Sequence, residues 1–133
     1  MSTRIYVDAN VYLDYFEERT NGIRPLNDFA FKIFERTLEC EFEIVISDAT
    51  INEIERHYKT ASRANILFEE LIRKGKIINA NAKTEENELS KGHSDALHYM
   101  IAERTGCKFI VTRNIRHFSD FSGFVKPVLP EQI

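Results

Sequence analysis

Four short runs of apolar and β-branched residues punctuate the chain: 4–8 (RIYVD), 42–47 (FEIVIS), 76–80 (KIINA) and 108–112 (KFIVT). The segments between them carry helical periodicity. Strands that alternate with helices pair in parallel, because the crossover returns each strand in the same direction. The pattern therefore predicts an α/β fold with a mostly parallel sheet of four to five strands. A further strand is expected at its edge over 126–129 (KPVL).

The intervening segments can be placed more finely. Asn10 to Glu18 reads as a helix, and 19–25 (RTNGIRP) as a loop with Asn21-Gly22 turn chemistry. Pro25 suits the first turn of the next helix. Leu26, Phe29, Ala30, Ile33, Phe34 and Leu38 fall at helical spacing, so 26–40 is an amphipathic helix. Phe29 and Phe34 lie on its apolar stripe; Phe31 lies off it and is a candidate for a dimer or partner surface. Residues 49–74 read as two helices that break near 59–62. Residues 84–90 read as a short polar helix, followed by a break at 91–93 (KGH). Ser94 to Thr105 is a helix with Leu97, Met100 and Ile101 inward and Gly106 as its stop.

The chain has 133 residues, enough for a single domain over 1–133 with one core. No apolar run approaches the roughly 20 residues that span a bilayer, and no leader pattern opens the sequence. Cys40 and Cys107 are far apart and fit no metal-binding spacing. A cytoplasmic protein without a membrane partner is the expectation. The formal net charge of −3 argues against a general nucleic-acid coat protein, which gains affinity from many cationic contacts to phosphate. It leaves room for an enzyme that holds phosphate through a metal ion.

Function is expected at the carboxyl ends of the strands, where parallel open sheets bind ligands. Asp8 ends the first strand. Glu53 follows the second, in the early turns of its helix. Asp95 stands in the first turn of the 94–105 helix, and Asn114 follows the fourth strand. Each also has a plain structural reading. Asp8 suits a helix N-cap, and Thr50 with Glu53 (TINE) suits a capping box. Asp95 suits the positive end of a helix dipole, and Asn114 a turn. Their common edge distinguishes the functional reading. Carboxylates crowded together repel and lose hydration, and a divalent cation relieves both costs. An oxygen-only donor set without Cys or His points to Mg²⁺ or Mn²⁺ rather than Zn²⁺. Such an ion acidifies water and clamps phosphate oxygens, as phosphodiester hydrolysis requires.

Four stretches together resemble the PIN-domain nucleases: YVDANVYLD (6–14), ISDATINEI (46–54), SDALHYMIAERTGCKFIVTRN (94–114) and RHF (116–118). The resemblance spans nearly the whole chain. It implies a three-layer α/β/α domain and a metal-dependent ribonuclease. Asp8, Glu53 and Asp95 match the family's acidic metal positions, and Thr112 matches a supporting hydroxyl. Asn10 is a second supporting candidate. The chain also resembles the stand-alone VapC-type toxins, which cleave RNA, dimerise and are held inactive by a cognate antitoxin. Two alternatives stay open: an RNA-maturation nuclease without an antitoxin, and a non-catalytic RNA-binding module.

One departure stands out. Asn114 occupies a position where many relatives carry Asp, and it brings no charge to a second metal. Asp120 is a candidate replacement. Arg113, Arg116 and His117 are candidates for substrate contact, with Arg56 and Lys59 as further guides for RNA; solvated helix and turn positions are the plain readings of these. The chain supplies no histidine pair for 2′-hydroxyl cyclisation, so hydrolysis to 5′-phosphate products is expected.

Overall fold

A computed structural model describes residues 2–20, 22–57, 61–81, 94–121 and 123–133. Five strands form one sheet: β1 (Thr3–Val7), β2 (Phe42–Ser47), β3 (Ile77–Ala80), β4 (Phe109–Val111) and β5 (Lys126–Val128). Among the described residues the helices are α1 (Ala9–Phe16), α2 (Leu26–Leu38), α3 (Asp48–His57), α4 (Ala61–Arg73) and α5 (Ser94–Arg104). The expected helix over 84–90 and the break at 91–93 lie outside the described residues.

All four strand pairings are parallel, in the order β3-β2-β1-β4-β5. The chain lays strands outward on one side of β1 and then returns to its other side with β4. The order therefore reverses between β1 and β4, where a crevice opens at the carboxyl ends. Pro127 sits in β5, at the sheet edge, where its missing N–H removes no ladder bond from the interior.

The two faces of the sheet bury different material. Ile5 and Val7 of β1, Ile44 and Ile46 of β2 and Val111 pack with α1, α2, Leu67 and Leu71. The alternate residues Tyr6, Val45 and Ile110 pack with Tyr99, Ile101 and Ala102 of α5, and with Phe118 and Val125. Side chains alternate across a strand, so both faces of β1 are occupied and its apolar run needs no polar alternation. A large aliphatic side chain buried this fully contributes about 1.5–3 kcal/mol by removal from water.

Helix ends follow local chemistry. Gly106 adopts φ +77, and the Gly106 and Cys107 amides return to the Glu103 and Ala102 carbonyls at 3.2 and 2.9 Å. These paired bonds close the helix in the manner that favours glycine at that point. α3 starts at Asp48, earlier than the pattern suggests, because Ser47 Oγ accepts the Thr50 amide at 3.2 Å. The expected Thr50–Glu53 capping box is therefore not the helix start, and Thr50 turns its hydroxyl into the core. Two inward faces also differ from expectation. α2 buries Leu26, Ala30, Ile33, Phe34 and Thr37, leaving Phe29 only half-buried beside Arg24. α5 buries His98, Tyr99, Ile101 and Ala102, with Leu97 and Met100 half-buried. A polar contact from His98 to the sheet sets that rotation.

Candidate active site and metal centre

Asp8 follows β1 in an extended conformation and caps α1: its Oδ1 accepts the Ala9 amide at 2.8 Å. Its other oxygen faces the end of β4. There Oδ2 accepts the Thr112 hydroxyl at 2.9 Å and the Asn10 side-chain amide at 3.2 Å. The capping and site readings of Asp8 are thus compatible, since they use different oxygens. Thr112 is fully buried behind Asp8, and its Oγ1 also accepts the Asn114 amide at 3.0 Å. Asn10 Oδ1 accepts the Arg113 amide at 3.2 Å, tying the start of α1 to the loop after β4.

Glu53 reaches the same place from α3. Its Oε1 stands 2.7 Å from Nε2 of His98, which comes from α5 and is 2 % exposed. The opposite ring nitrogen, Nδ1, lies 2.6 Å from the Tyr6 hydroxyl. Tyr6 Oη also contacts Ser47 Oγ at 2.7 Å and Thr50 Oγ1 at 3.0 Å. A buried polar chain therefore runs from β2 and α3, through β1, to α5 and back to Glu53. Burial in this setting pushes the Tyr6 phenol above its usual range, so it stays protonated.

Asp8, Glu53 and His98 each offer one ligand atom, all within 4.8 Å of one another. With Ala9, Asn10, Leu13, Asp95, Asn114 and His117 they line a crevice of about 210 Å³. Burial raises the Asp8 carboxyl above the ordinary carboxylate range; the His98 charge and the Thr112 hydrogen bond oppose this, and Glu53 reinforces it. For His98, burial pulls the imidazole down, but the bond to Glu53 and the charges of Glu53, Asp8 and Asp95 carry it upward. Two acids around a partly desolvated pocket are the conditions that a cation relieves.

The expected residues distribute as follows. Asp8, Glu53, Asp95 and Asn114 all line the one crevice. Asp95 stands at its rim with a 45 % exposed side chain, and its Oδ1 lies 3.7 Å from His117 Nδ1. Asn114 and His117 are exposed there. Arg116 and Asp120 are exposed and are not among the lining residues. Arg113 is engaged elsewhere: its Nε lies 2.6 Å from Asp14 Oδ2, and the buried Asp14 also lies 3.6 Å from Arg19 Nη1. That ion pair ties down the guanidinium that substrate contact would need. Arg56 is exposed, and Lys59 lies outside the described residues.

The compact donor set that the geometry offers, Asp8, Glu53 and His98, includes an imidazole that the oxygen-only expectation leaves out. Sequence reasoning overlooks His98, although it stands three residues after Asp95 on one helix, close to the same face. Its partner Tyr6 lies 92 positions away, a contact that local pattern does not reveal.

Fold and site together define a doubly wound α/β protein with an acidic crevice at its switch point. A family model described as PIN domain matches residues 4–116, and the chain belongs to the PIN-domain family. PIN domains are in general nucleases that use divalent metals and bind nucleic acid. No curated protein matches the chain. No helix among the described residues is long and apolar enough to cross a membrane.

Proposed function

We propose that this chain is a divalent-metal-dependent ribonuclease that hydrolyses RNA phosphodiester bonds, acting as the toxin of a type II toxin–antitoxin pair. The observation that carries the nuclease reading is the convergence of Asp8, Glu53, Asp95 and Asn114, from four separate stretches, on one crevice in a PIN fold. The donor set fits a Mg²⁺ or Mn²⁺ ion. Asp8, Asp95 and Glu53 would hold it, and Glu53 would also suit orienting the attacking water. Once bound, the ion offsets phosphate charge and acidifies water.

The chain's own residues do the positioning. Thr112 and Asn10 fix one oxygen of Asp8, while the Ala9 amide fixes the other. Asn114 is held by its amide to Thr112 and presents its side chain as a neutral water-orienting group. His117 at the rim suits contact with a substrate phosphate, and Arg116 suits a more distant one. His98 and His117 both line the crevice, so the expectation of 5′-phosphate products rests on water activated by a metal as the nucleophile and not on a lack of histidines. The same reading takes residues 1–133 as one cytoplasmic domain that homodimerises and binds an antitoxin.

The test is Asp95→Asn. Cleavage of end-labelled RNA in Mg²⁺ or Mn²⁺ should fall to background while circular dichroism stays native. Undiminished metal-dependent cleavage in this variant refutes the assignment. Single-stranded DNA run in parallel decides the substrate. Growth arrest on expression, relieved by the product of a neighbouring small reading frame, tests the toxin role against RNA maturation without an antitoxin. Asn114 favours one second reading, a PIN module that binds RNA without turnover, because it removes a charge from the crevice. Metal-independent RNA binding without cleavage would support that alternative.

A further inference from the structure

We infer that His98 supplies a nitrogen ligand to the cation held at Asp8 and Glu53, so that this centre selects a divalent transition ion of the Mn²⁺ type over Mg²⁺. The inference rests on the metal-dependent reading above and specifies the chemistry of its site.

The first argument is spacing. Neighbouring donors on an octahedral ion with bonds of about 2.1 Å stand about 3 Å apart, and opposed donors just over 4 Å. His98 Nε2 and Glu53 Oε1 are 2.7 Å apart, and the Asp8 atom completes a set whose members lie within 4.8 Å. One ion bridges that set with small side-chain movements and no change in the backbone.

The second argument is the far side of the ring. A metal-ligating imidazole needs its other nitrogen held by an acceptor, which fixes the tautomer and the ring plane. Nδ1 of His98 meets Tyr6 Oη at 2.6 Å. When Nδ1 carries the proton, Tyr6 Oη can accept the hydrogen bond and donate its own to Ser47 or Thr50, both within 3.0 Å. The buried chain can therefore hold the tautomer whose Nε2 lone pair faces Glu53 and Asp8.

The third argument is donor type. Mg²⁺ takes oxygen ligands, whereas a mixed nitrogen and oxygen site binds the first-row divalent ions, with affinity rising from Mn²⁺ onward. His98 is held among Tyr6, Glu53 and the α5 core, so it cannot swing aside to leave an oxygen-only site.

The experiment uses the full chain, stripped of metal with a chelator and titrated with Mn²⁺ alone. Pulsed electron paramagnetic resonance should show ¹⁴N coupling from a coordinated imidazole, converting to a ¹⁵N pattern when the histidines are ¹⁵N-labelled. His117→Gln should retain the coupling. His98→Gln should lose it, with Mn²⁺ affinity falling about tenfold or more and Mg²⁺ affinity changing less than about threefold. Where His98→Gln is poorly folded, the labelled spectrum of a His57→Gln/His93→Gln/His117→Gln protein, whose one remaining histidine is His98, decides the matter. Bound Mn²⁺ that depends on Asp8 but shows no nitrogen coupling overturns this inference and leaves the metal-dependent reading standing. Absence of Mn²⁺ binding overturns both.

Discussion

Tyr6 and Tyr12 offer the same chemical edit in opposite surroundings. Both are fully buried. The Tyr6 hydroxyl has three polar neighbours, at 2.6, 2.7 and 3.0 Å. The Tyr12 hydroxyl has no hydrogen-bond partner among the described residues, and its ring packs against Phe16, Phe34 and Phe68. Phe keeps either ring and deletes only the oxygen. In Tyr6→Phe, Ser47 and Thr50 still reach each other at 3.3 Å, so the main orphan is His98 Nδ1. A buried polar group left unpaired costs about 1–3 kcal/mol, and the lost bonds bring the total to about 2–3 kcal/mol. In Tyr12→Phe the edit removes a desolvated hydroxyl that has no bond to lose. The expected change is zero to about 1 kcal/mol of added stability.

Unfolding entropy near 2.1 cal/mol/K per residue makes each kcal/mol worth about 3.6 °C in a chain of 133 residues. Tyr6→Phe should therefore melt about 7–11 °C below wild type, and Tyr12→Phe level with it or up to about 4 °C above. Calorimetric melts, with urea titrations to confirm unchanged slopes, provide the measurement. A Tyr12→Phe variant as destabilised as Tyr6→Phe would refute the claim that partner hydrogen bonds, not ring burial, set the sign.

Further outcomes follow from groups that do not line the crevice. Burial pushes the Cys107 thiol up to about 11, so the folded state disfavours its thiolate. The contribution is fully present below the unfolded thiol's value of about 9 and is lost as pH rises toward 11, about 2–3 kcal/mol in all. Comparing wild type with Cys107→Ala across that window should reveal the difference; identical pH slopes would contradict it. A thiol reagent at neutral pH should meanwhile label the exposed Cys40 and spare Cys107 until the protein unfolds. Arg113→Ala should cost about 2 kcal/mol, because it leaves the buried Asp14 with Arg19 at 3.6 Å as its one ion-pair partner among the described residues. Arg116→Ala should leave the melting temperature within about 2 °C of wild type, as exposed side chains do.

The strands and the edge of the site were legible because each depends on local pattern. β2 runs over 42–47 as the apolar stretch indicates, and the carboxyl-end rule brings Asp8, Glu53, Asp95 and Asn114 to one crevice. What local pattern could not reveal are the partners. Glu53 looks like half of a capping box with Thr50, but Ser47 starts the helix and Thr50 serves Tyr6. Leu97 and Met100 look inward by hydropathy, but the Tyr6–His98 contact rotates α5 so that a histidine occupies the core position. Arg113 looks available to substrate until Asp14, ninety-nine positions earlier, is found against it. In each case a polar side chain is claimed by a distant residue, and a burial that hydropathy disfavours is stabilised by that pairing.

These pairings make the two halves of the core unlike each other. The α1/α2 side is packed by aromatic and aliphatic groups, with Tyr12, Phe16 and Phe34 at its centre. The side below the crevice buries Tyr6, Ser47, Thr50, His98 and Thr112, each with a hydrogen-bond partner. Apolar packing alone tolerates substitution of similar volume, whereas a connected polar network fails when any member is lost. Glu53 stands at the open end of the network through Tyr6 and His98, and Asp8 is held separately by Thr112 and Asn10. Their carboxylates are therefore fixed before any ion or phosphate arrives. Thr50→Val illustrates the consequence: it lies behind Tyr6 and off the crevice wall, yet it should loosen His98 and Glu53 and weaken Mn²⁺ binding. Unchanged Mn²⁺ affinity in a natively folded Thr50→Val protein would show that the crevice is organised independently of the core beneath it.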